Sequence, residues 1–438
     1  MAEQWATSSN SALRIKLLDS EHLYDEATFH PTFTYPIYGE AETIYGYSNL
    51  QVELGLKSDS LLSALTIKYD AKLESKTAKV DDPKAALMEY LPKEDVCENL
   101  SELEQLSASK PAFKPLGQKI HTYTRTTKPS NGKGKGKAQD RTIIGRSSSN
   151  AGVGAAAAAG QSVRTFEVYH CDWNTPGFRE YHRRMQLFTL LFIEGASYID
   201  EGEKNWEFLV VYEVTPATSK YHFVGYTSLY NFWFYPSWHR LRLSQFVILP
   251  PFQVQGHGSE LYGQVVKLAK ERDDIVELTI EDPSEAFDRL RDTNDLKRLL
   301  SPEDGFLLRA KEHVKGGALR APVDKKWSES ERLRHKIAKR QWDRLVEMCM
   351  LMMLDEQDEE QITKFRLQVK ARVFTFNRDV LQQMEHEERI AKLQETFESV
   401  MDEYGQLTGV DVDTIIESGL EPEHQNGSGP AAKVARLY

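Results

Sequence analysis

The clearest hydrophobic pattern lies past the middle of the chain, where two apolar runs flank an amphipathic segment. Residues 246–249 and 275–280 are short apolar runs with the length and composition of buried strands. Between them, residues 259–270 place apolar side chains at helical spacing. Pro250 and Pro251 end the first strand, since proline cannot donate to a ladder. The pattern predicts a strand–turn–helix–strand unit.

The turn of this unit has the composition of a phosphate site. It reads Gln253-x-x-Gly256-x-Gly258, and the predicted helix begins directly after it. A helix N-terminus presents unpaired N–H groups and the positive end of the helix dipole, and glycine lets the backbone approach a phosphate closely. The two glycines alone would also fit a plain tight turn. The complete unit, which ends in the acidic pair Glu281-Asp282, indicates a pyrophosphate-bearing cofactor with a carboxylate beside it.

Spacing excludes two other kinds of phosphate loop. The chain contains no Gly-x-x-x-x-Gly-Lys-Ser/Thr sequence, so a P-loop is excluded. A dinucleotide fingerprint needs a third glycine, and the chain has Leu261 there. The loop therefore belongs to a different class of cofactor site.

Hydrophobic spacing predicts mixed elements before this unit and helices after it. We predict a first domain over residues 10–122, a core over 163–325 and a helical region over 326–419. The predicted strands are 41–47, 51–56, 63–69, 164–169, 206–214 and 221–230. The predicted helices are 82–90, 96–106, 179–193, 328–354 and 360–404. We interpret the methionine-rich run that begins at Met348 as packed helical core rather than a ligand site.

The segment between the first domain and the core has a different composition. Residues 125–164 contain eight Lys or Arg and one Asp, a Gly-Lys repeat and five consecutive alanines. Such a segment buries too little apolar surface to offset the entropy lost on ordering, so we predict a disordered insertion over 123–162. A tolerated linker is the favoured interpretation, with a nuclear-import or nucleic-acid signal as the alternative. Residues 1–9 and 420–438 are also predicted to be disordered.

Composition narrows the class of protein. The net charge of −11 disfavours nonspecific binding to nucleic acid and suits a basic partner. The three cysteines, Cys97, Cys171 and Cys349, have no metal or redox spacing, so they are interpreted as reduced structural thiols and no metal is expected. The polar N-terminus and the absence of a long apolar run favour a protein without a secretory signal or membrane span.

Longer motifs resemble one family. The string Ile-Leu-Pro-Pro-Phe-Gln-Val-Gln-Gly-His-Gly-Ser, followed by Glu-Asp-Pro-Ser-Glu-Ala-Phe, resembles the catalytic subunits of type B histone acetyltransferases, within the GNAT superfamily of N-acetyltransferases. Motifs that begin at Phe29, Tyr38, Gly177, Ile193 and Gly225 resemble the same family in the same order. The resemblance covers most of residues 10–122 and 163–320, and the insertion departs from it.

The resemblance implies a fold and an activity. The fold class is α+β: a GNAT-like mixed-sheet core with an N-terminal α/β domain and a C-terminal helical region. The implied activity is transfer of acetyl from acetyl-CoA to lysines of the N-terminal tail of newly synthesised, non-nucleosomal histone four. The implied partner is a WD-repeat histone-binding subunit, and the implied location is the nucleus and the cytoplasm.

The resemblance also implies the catalytic residues. The family's base corresponds to Glu281, with Asp282 beside it and Glu194 as the second candidate. A desolvated carboxylate at a strand end suits this role. Without the resemblance, Glu281 fits a residue that stabilises the next helix equally well, and Glu194 fits an exposed helical residue better. Which of Glu281 and Glu194 accepts the proton stays open.

Cofactor and substrate residues follow from the same motifs. The resemblance implies that the strand contacts the acetyl and pantetheine end of acetyl-CoA and that the loop binds the pyrophosphate. A backbone N–H of the strand would be the oxyanion donor. The implied cofactor residues are Phe246, Val247, Ile248, Gln253, Val254, Gln255, Gly256, His257, Gly258, Ser259 and Ser284. The implied substrate residues are Glu42, Thr43, Ile44, Tyr230, Asn231 and Phe232. The side chain of His257 is interpreted as part of the loop rather than as an acid or base.

Two other functions fit parts of the chain. A histone-binding escort would keep the fold and lose turnover, but the loop and all three carboxylates are intact. An acetyltransferase for polyamines or protein N-termini would share the loop without the N-terminal domain. Histone acetylation therefore remains the favoured hypothesis.

Overall fold

A computed structural model describes residues 5–18, 28–74, 79–127, 162–313 and 319–417. Among these residues, those up to Ala286 form one compact unit and those from Phe287 onward form a second. The predicted N-terminal and catalytic domains share the first unit, and the division falls at residue 286 rather than at 325. No helix in the described part of the chain is both long and apolar enough to cross a membrane.

The N-terminal part of the first unit is built on a five-stranded mixed sheet. Its order is β3-β2-β6-β7-β9, with β2 and β6 parallel, and two small two-stranded sheets, β1-β4 and β5-β8, flank it. The strands are β1 Ala6–Ser8, β2 Leu13–Leu18, β3 Thr28–Phe29, β4 Thr43–Tyr45, β5 Tyr47–Ser48, β6 Gln51–Lys57, β7 Ser63–Lys68, β8 Ala71–Lys72 and β9 Val96–Cys97. The helices are α1 Ser9–Ala12, α2 Tyr35–Tyr38, α3 Pro83–Met88 and α4 Leu100–Ser109. The mixed α/β character predicted for this region is confirmed.

The catalytic part of the first unit is a six-stranded sheet in the order β10-β11-β12-β13-β14-β15. Its pairs are antiparallel except for the last, β14 with β15, which is parallel. The strands are β10 Gln118–Thr127, β11 Ser162–Asp172, β12 Trp206–Thr215, β13 Lys220–Phe234, β14 Trp238–Ile248 and β15 Ile275–Ile280. The helices are α5 Phe178–Met185, α6 Leu187–Phe192 and α7 His257–Glu271. Helix α7 packs against β12, β14 and β15, and α6 packs against β14. This α+β core confirms the predicted fold class.

The first residues of the predicted insertion belong to the six-stranded sheet. Residues 123–127 lie in β10 and pair with β11, so the predicted boundary at residue 123 falls inside a strand. The reason is that Tyr123 is buried and stacks on Phe166, which anchors the strand. The rest of the predicted insertion, residues 128–161, lies outside the described residues, as do the predicted tail, 420–438, and residues 1–4. The predicted disorder of residues 5–9 is wrong, because β1 pairs with β4 and Ser9 is buried against Thr34.

A fully buried histidine lies in the core of the first unit. Neither ring nitrogen of His182, on α5, has a hydrogen-bond partner among the described residues. The ring packs against Trp173 and Phe208, with centroids 5.0 and 4.8 Å away. Burial lowers the pKa of His182 to about 3. The folded chain therefore keeps this imidazole neutral at pH values where the unfolded chain protonates it.

We expect acid to destabilise the first unit through His182. Because the pKa is lower in the folded state than its ordinary value of 6.5, stability falls as pH drops below 6.5. Between pH 6.5 and 5, His182 lowers the free energy of unfolding by about 1.5 kcal/mol. Urea unfolding of His182→Phe should show a smaller loss over this interval than the wild type, whereas the exposed His30→Phe should match the wild type. Equal losses in all three chains would contradict the expectation.

The second unit is helical, as predicted. Its helices are α8 Glu285–Leu300, α9 Phe306–His313, α10 Lys325–His335, α11 Lys339–Leu351, α12 Glu359–Phe376, α13 Arg378–Leu381, α14 His386–Thr408 and α15 Asp413–Glu417. Both long predicted helices are interrupted. The first breaks at Lys336, which adopts φ 53°, and Ile337 beyond it is buried. Met348 and Cys349 lie in the hydrophobic core, which confirms that this run is packing, and burial raises the pKa of the Cys349 thiol to about 12.

Candidate active site

The parallel strands β14 and β15 separate at the candidate site. Their pairing stops at Leu243 and Ile280, while β14 continues to Ile248 along its other neighbour, β13. The edge of β14 over residues 244–248 therefore faces the opening between the two strands. This segment includes Phe246, Val247 and Ile248, the predicted contacts for the acetyl and pantetheine end of the cofactor. A ligand crevice at the carboxyl ends of parallel strands is the usual arrangement in open sheets.

The glycine-rich turn leads directly into α7. Gly256 has φ 84° and precedes the first helical residue, His257. This left-handed conformation favours glycine, and the N–H groups of the first helical turn have no intrahelical partner. Gln253 donates from Nε2 to the carbonyl of Ile248 at 2.9 Å, and Gln255 donates from Nε2 to the carbonyl of Pro251 at 2.8 Å. The predicted turn is thus held by its own glutamines at the N-terminus of α7, the end of a helix that favours anions.

Arg125, on β10, holds the turn from outside. Its guanidinium donates to the carbonyl of Gln255 at 3.0 Å, to the carbonyl of Gly256 at 3.3 Å and to Glu260 at 2.8 Å. It also lies over the ring of Tyr123, 4.9 Å from the centroid. A cation here adds to the anion-binding character of the helix N-terminus. Sequence reasoning missed this residue because it placed Arg125 in the insertion.

We expect Arg125→Ala to weaken acetyl-CoA binding by roughly tenfold, since charge-assisted contacts of this kind contribute about 1.5–3 kcal/mol. Isothermal titration with acetyl-CoA would measure the loss. Arg179→Ala is a matched control, because Arg179 also stacks on an aromatic ring, that of Trp173, and donates to a carbonyl, that of Glu201. An unchanged dissociation constant for Arg125→Ala would contradict the expected role.

The side chain of His257 points into the core. It is 1% exposed, and its Nδ1 lies 2.7 Å from the hydroxyl of Tyr123. Burial, followed by the charges of Arg125 and Arg164, lowers its pKa to about 4. Only the backbone of His257 can therefore reach a cofactor. This agrees with its interpretation as a structural residue of the loop.

The fit of these residues to a CoA thioester can be judged from their chemistry. The turn presents backbone N–H groups and one arginine, which suits a pyrophosphate. Val254 is fully exposed with φ 60°, and Ser284 is exposed beyond β15. The edge of β14 provides backbone for the pantetheine amides. The arrangement fits the predicted cofactor residues.

A cavity of about 460 Å³ lies beside residues 244–245 of β14. The three predicted catalytic carboxylates, Glu194, Glu281 and Asp282, all line it. Tyr230 and Phe232 also line it, with ring centroids 4.5 Å apart. Further lining residues that sequence reasoning did not assign to the site are Trp206, Glu203, Arg242, Ser244 and Gln245. What these residues have in common is their position in the chain: they lie on β12, on β14 or in the loop between α6 and β12.

Glu281 is held by β14. Its N–H donates to the carbonyl of Leu243 at 3.0 Å, and its carboxylate accepts a hydrogen bond from the hydroxyl of Ser244. The side chain is 44% exposed. The expectation of a desolvated carboxylate is therefore wrong for this structure, because the residue lies just past the end of β15, at the open side of the sheet. Asp282 follows with φ 33°, a conformation that favours glycine.

Glu194 lies in the loop after α6, and the N-terminal sheet region holds that loop. The N–H of Gly195 donates to the hydroxyl of Tyr35 at 2.6 Å. The N–H groups of Thr32 and Phe33 donate to the carbonyl of Leu191 at 2.9 and 3.1 Å. Glu194 itself is exposed to the cavity. Its position thus depends on residues more than 150 positions earlier in the chain.

The other predicted substrate residues do not line the cavity. The carboxylate of Glu42 accepts from the N–H of Thr34 at 2.6 Å and from Asn10 at 2.7 Å, and the bond from Thr34 holds the pKa of Glu42 below its ordinary value. Ile44 is buried, and the side chain of Asn231 donates to Glu207 at 2.6 Å. Thr43 is exposed and bonds to the carbonyl of Ala41. A substrate role for these four residues stays a prediction.

Comparisons with known proteins agree with this architecture. Residues 5–194 match the family described as "Histone acetyl transferase HAT1 N-terminus", residues 167–290 match the acetyltransferase (GNAT) family, and residues 292–355 match "Fungal HAT1, C-terminal". The GNAT match covers β11 to β15, the part of the sheet that forms the crevice.

Full-length relatives carry one name, "Histone acetyltransferase type B catalytic subunit". A relative from Mycosarcoma maydis is 48% identical over 100% of both chains. One from Cryptococcus neoformans var. neoformans serotype D is 41% identical over 93% of this chain and 98% of the relative. One from Eremothecium gossypii is 34% identical over 92% of this chain and 91% of the relative. The protein is an acetyl-CoA-dependent acetyltransferase, and its chain belongs to the family of type B histone acetyltransferase catalytic subunits.

Proposed function

We propose that the protein acetylates lysines in the N-terminal tail of newly synthesised, non-nucleosomal histone four. The observation that carries the proposal is the convergence of Glu194, Glu281 and Asp282 on one cavity with aromatic walls. Carboxylates attract a basic peptide, and aromatic rings pack along the aliphatic part of a lysine side chain. The cavity adjoins the edge of β14 to which we assign the acetyl group.

The chemistry requires a base. A lysine amine has a pKa near 10.4, so roughly one side chain in a few thousand is unprotonated at neutral pH. We assign the proton acceptor to Glu281, whose carboxylate is fixed by β14, and we assign Asp282 and Glu194 to attracting and orienting the amine. The neutral lysine amine attacks the carbonyl carbon of the thioester, the C–S bond breaks as the amide forms, and CoA leaves as its thiolate, so no protein nucleophile is needed. Burial raises the pKa of the Cys171 thiol to about 12, which agrees with a structural role for that residue.

The cofactor residues have separate tasks in this proposal. Acetyl-CoA supplies the acetyl thioester. Residues 253–259 would bind its pyrophosphate through backbone N–H groups, with Arg125 as the nearby cation. Residues 246–248 would pair with its pantetheine arm and provide the oxyanion donor, and Ser284 would lie near the same arm.

The proposal extends to partner and location. A WD-repeat histone-binding subunit would present the histone, and the complex would work in the nucleus and the cytoplasm. The proposal is supported by the relatives' name, which agrees with a nuclear protein. The net charge of −11 is also consistent with a basic protein substrate rather than direct nucleic-acid binding.

The test is acetyl transfer from labelled acetyl-CoA to a histone four tail peptide. We expect transfer that disappears when the acceptor lysines of the peptide are replaced by arginine, and that is faster with free histone than with nucleosomes. No transfer, even with the WD-repeat subunit added, would contradict the proposal and favour the escort function. Acetylation of spermidine in preference to the peptide would instead indicate a polyamine acetyltransferase.

A further inference from the structure

Strand β14 brings three polar residues to the cavity, two of them adjacent, through an irregularity in its pairing. Ser228 pairs with Gln245, but the next residue of β13, Leu229, pairs with Leu243. Ser244 is therefore an extra residue on β14, a bulge that breaks the alternation of faces. As a result Arg242, Ser244 and Gln245 all line the cavity.

Two of these residues face the two oxygens of the Glu281 carboxylate. The Ser244 hydroxyl donates to Oε2, and Nη1 of Arg242 lies 3.9 Å from Oε1. A separation of 3.9 Å is too long for a hydrogen bond. Ser244 thus occupies Oε2, while Oε1 remains available to accept a proton.

Arg242 is fixed next to this carboxylate by an aromatic ring. Its guanidinium lies over Phe232, 4.4 Å from the ring centroid. Among the described residues that line the cavity, Arg242 is the one cationic side chain, and the carboxylates that face the same space are Glu194, Asp200, Glu203, Glu281 and Asp282. A cation in this position repels a protonated amine at the same depth.

We infer that Ser244 and Arg242 are positioning residues that act through Glu281: Ser244 orients the carboxylate so that Oε1 faces the substrate amine, and Arg242, stacked on Phe232, places a cation beside Oε1. The inference rests on the proposed role of Glu281 as base. Neither residue needs to touch the reacting atoms, so both should affect turnover more than substrate binding.

The role of Ser244 is tested by removing its hydroxyl. We expect Ser244→Ala to lower kcat about tenfold, with KM for acetyl-CoA and for the histone peptide within about twofold of wild type. Ser244→Thr, which keeps a hydroxyl, should recover most of the loss. Ser237→Ala, an exposed serine in the turn before β14, is the control and should leave kcat unchanged. A Ser244→Ala chain with wild-type kcat would overturn the role of Ser244.

The arginine is tested by its charge. We expect Arg242→Gln to lower kcat about tenfold, with KM for acetyl-CoA and for the histone peptide within about twofold of wild type, and Arg242→Lys, which keeps a cation, to recover part of the loss. Arg240→Gln is a matched control and should leave kcat unchanged. Arg240 lies on the same strand, stacks 4.4 Å from the centroid of Phe234 and pairs with Glu277 at 2.8 Å, but it does not line the cavity. An Arg242→Gln chain with wild-type kcat would overturn the role of Arg242.

A readout without turnover separates this inference from the proposed function. Carbon-13 NMR of the glutamate carboxyl groups in the full chain, with the Glu281 signal assigned from Glu281→Gln, reports the hydrogen bonding of this carboxylate without substrates. We expect Ser244→Ala to move the signal and Ser244→Thr to leave it near its wild-type position. An unmoved signal in Ser244→Ala would overturn the inference even if the wild type acetylates histone. A moved signal in a chain that does not acetylate histone would leave the contact established and the proposed function wrong.

Discussion

Glu281→Gln is expected to lower kcat for histone acetylation by about a hundred- to ten-thousandfold, which is the usual contribution of a general base. Glutamine has nearly the same shape, and its amide oxygen can still accept the hydrogen bond from Ser244. Acetyl-CoA affinity should stay within about twofold, because the pyrophosphate turn is a separate structure on α7. Single-turnover kinetics and isothermal titration measure the two quantities independently.

The pH dependence of this variant is equally informative. Without a base, transfer depends on lysine that is already neutral, and that fraction rises about tenfold per pH unit below 10.4. The rate of Glu281→Gln should therefore rise steeply between pH 7 and 9, where the wild type levels off. The control is Glu277→Gln, because Glu277 lies on β15, the strand that Glu281 follows, and pairs with Arg240 outside the cavity.

The same assay decides between the two candidate bases. If Glu281→Gln keeps most of the wild-type kcat while Glu194→Gln loses it, the proton acceptor is Glu194 and the assignment of Glu281 is wrong. Loss in both variants, with the steep pH dependence confined to Glu281→Gln, would place Glu194 in orienting the amine. Glu194 is exposed in the loop after α6, so Glu194→Gln should not disturb the fold.

The cofactor unit was predictable because its determinants are local. Strand β15 has the predicted bounds, 275–280, and α7 begins within two residues of the predicted start. Apolar runs, two prolines and two glycines specify this unit without help from distant residues. The family motifs then supplied the candidate carboxylates, and the structure brings all three to one cavity.

The residues that hold the site in place could not be predicted, because their contacts join distant parts of the chain. Arg125 lies 130 positions before Gln255, whose carbonyl it binds. Its position at the edge of the low-complexity segment made it look like part of the predicted insertion. Tyr35 fixes Gly195 from 160 positions away. The bulge at Ser244 leaves no mark in the hydrophobic pattern, since Leu241 and Leu243 alternate normally up to it. Pairing across the sheet, rather than local propensity, decides these contacts.

The ends of helices in the second unit also could not be predicted from local sequence. The sequence predicts one helix over 328–354, because its spacing is amphipathic and no glycine interrupts that range. The chain instead breaks at Lys336, where a left-handed residue allows Ile337 to be buried and a new helix to start at Lys339. The free energy gained by burying the Ile337 side chain offsets the strain of the left-handed backbone at Lys336. The spacing of apolar residues in the sequence does not reveal this balance.

Gly225→Ala is expected to impair both stability and acetyl-CoA binding. A Cβ at Gly225 would lie 2.2 Å from the carbonyl oxygen of Val247 and 2.9 Å from the Cα of Ile248, so β14 would have to move. Overpacking against backbone costs about 3 kcal/mol, and we expect urea unfolding to show a loss of this size. Because Val247 and Ile248 belong to the segment assigned to the acetyl end of the cofactor, the dissociation constant for acetyl-CoA should rise at least about tenfold.

Gly263→Ala separates this effect from the general cost of replacing a glycine. Gly263 lies on α7, is exposed, and a Cβ there would have no neighbour within 4 Å. Alanine in an exposed helix interior should raise stability by about 0.5–1 kcal/mol and leave acetyl-CoA binding unchanged. If both variants bind acetyl-CoA as the wild type does, the close approach of β13 and β14 does not shape the cofactor site. If Gly225→Ala alone loses binding, the packing between these strands sets the position of the backbone that receives the acetyl group.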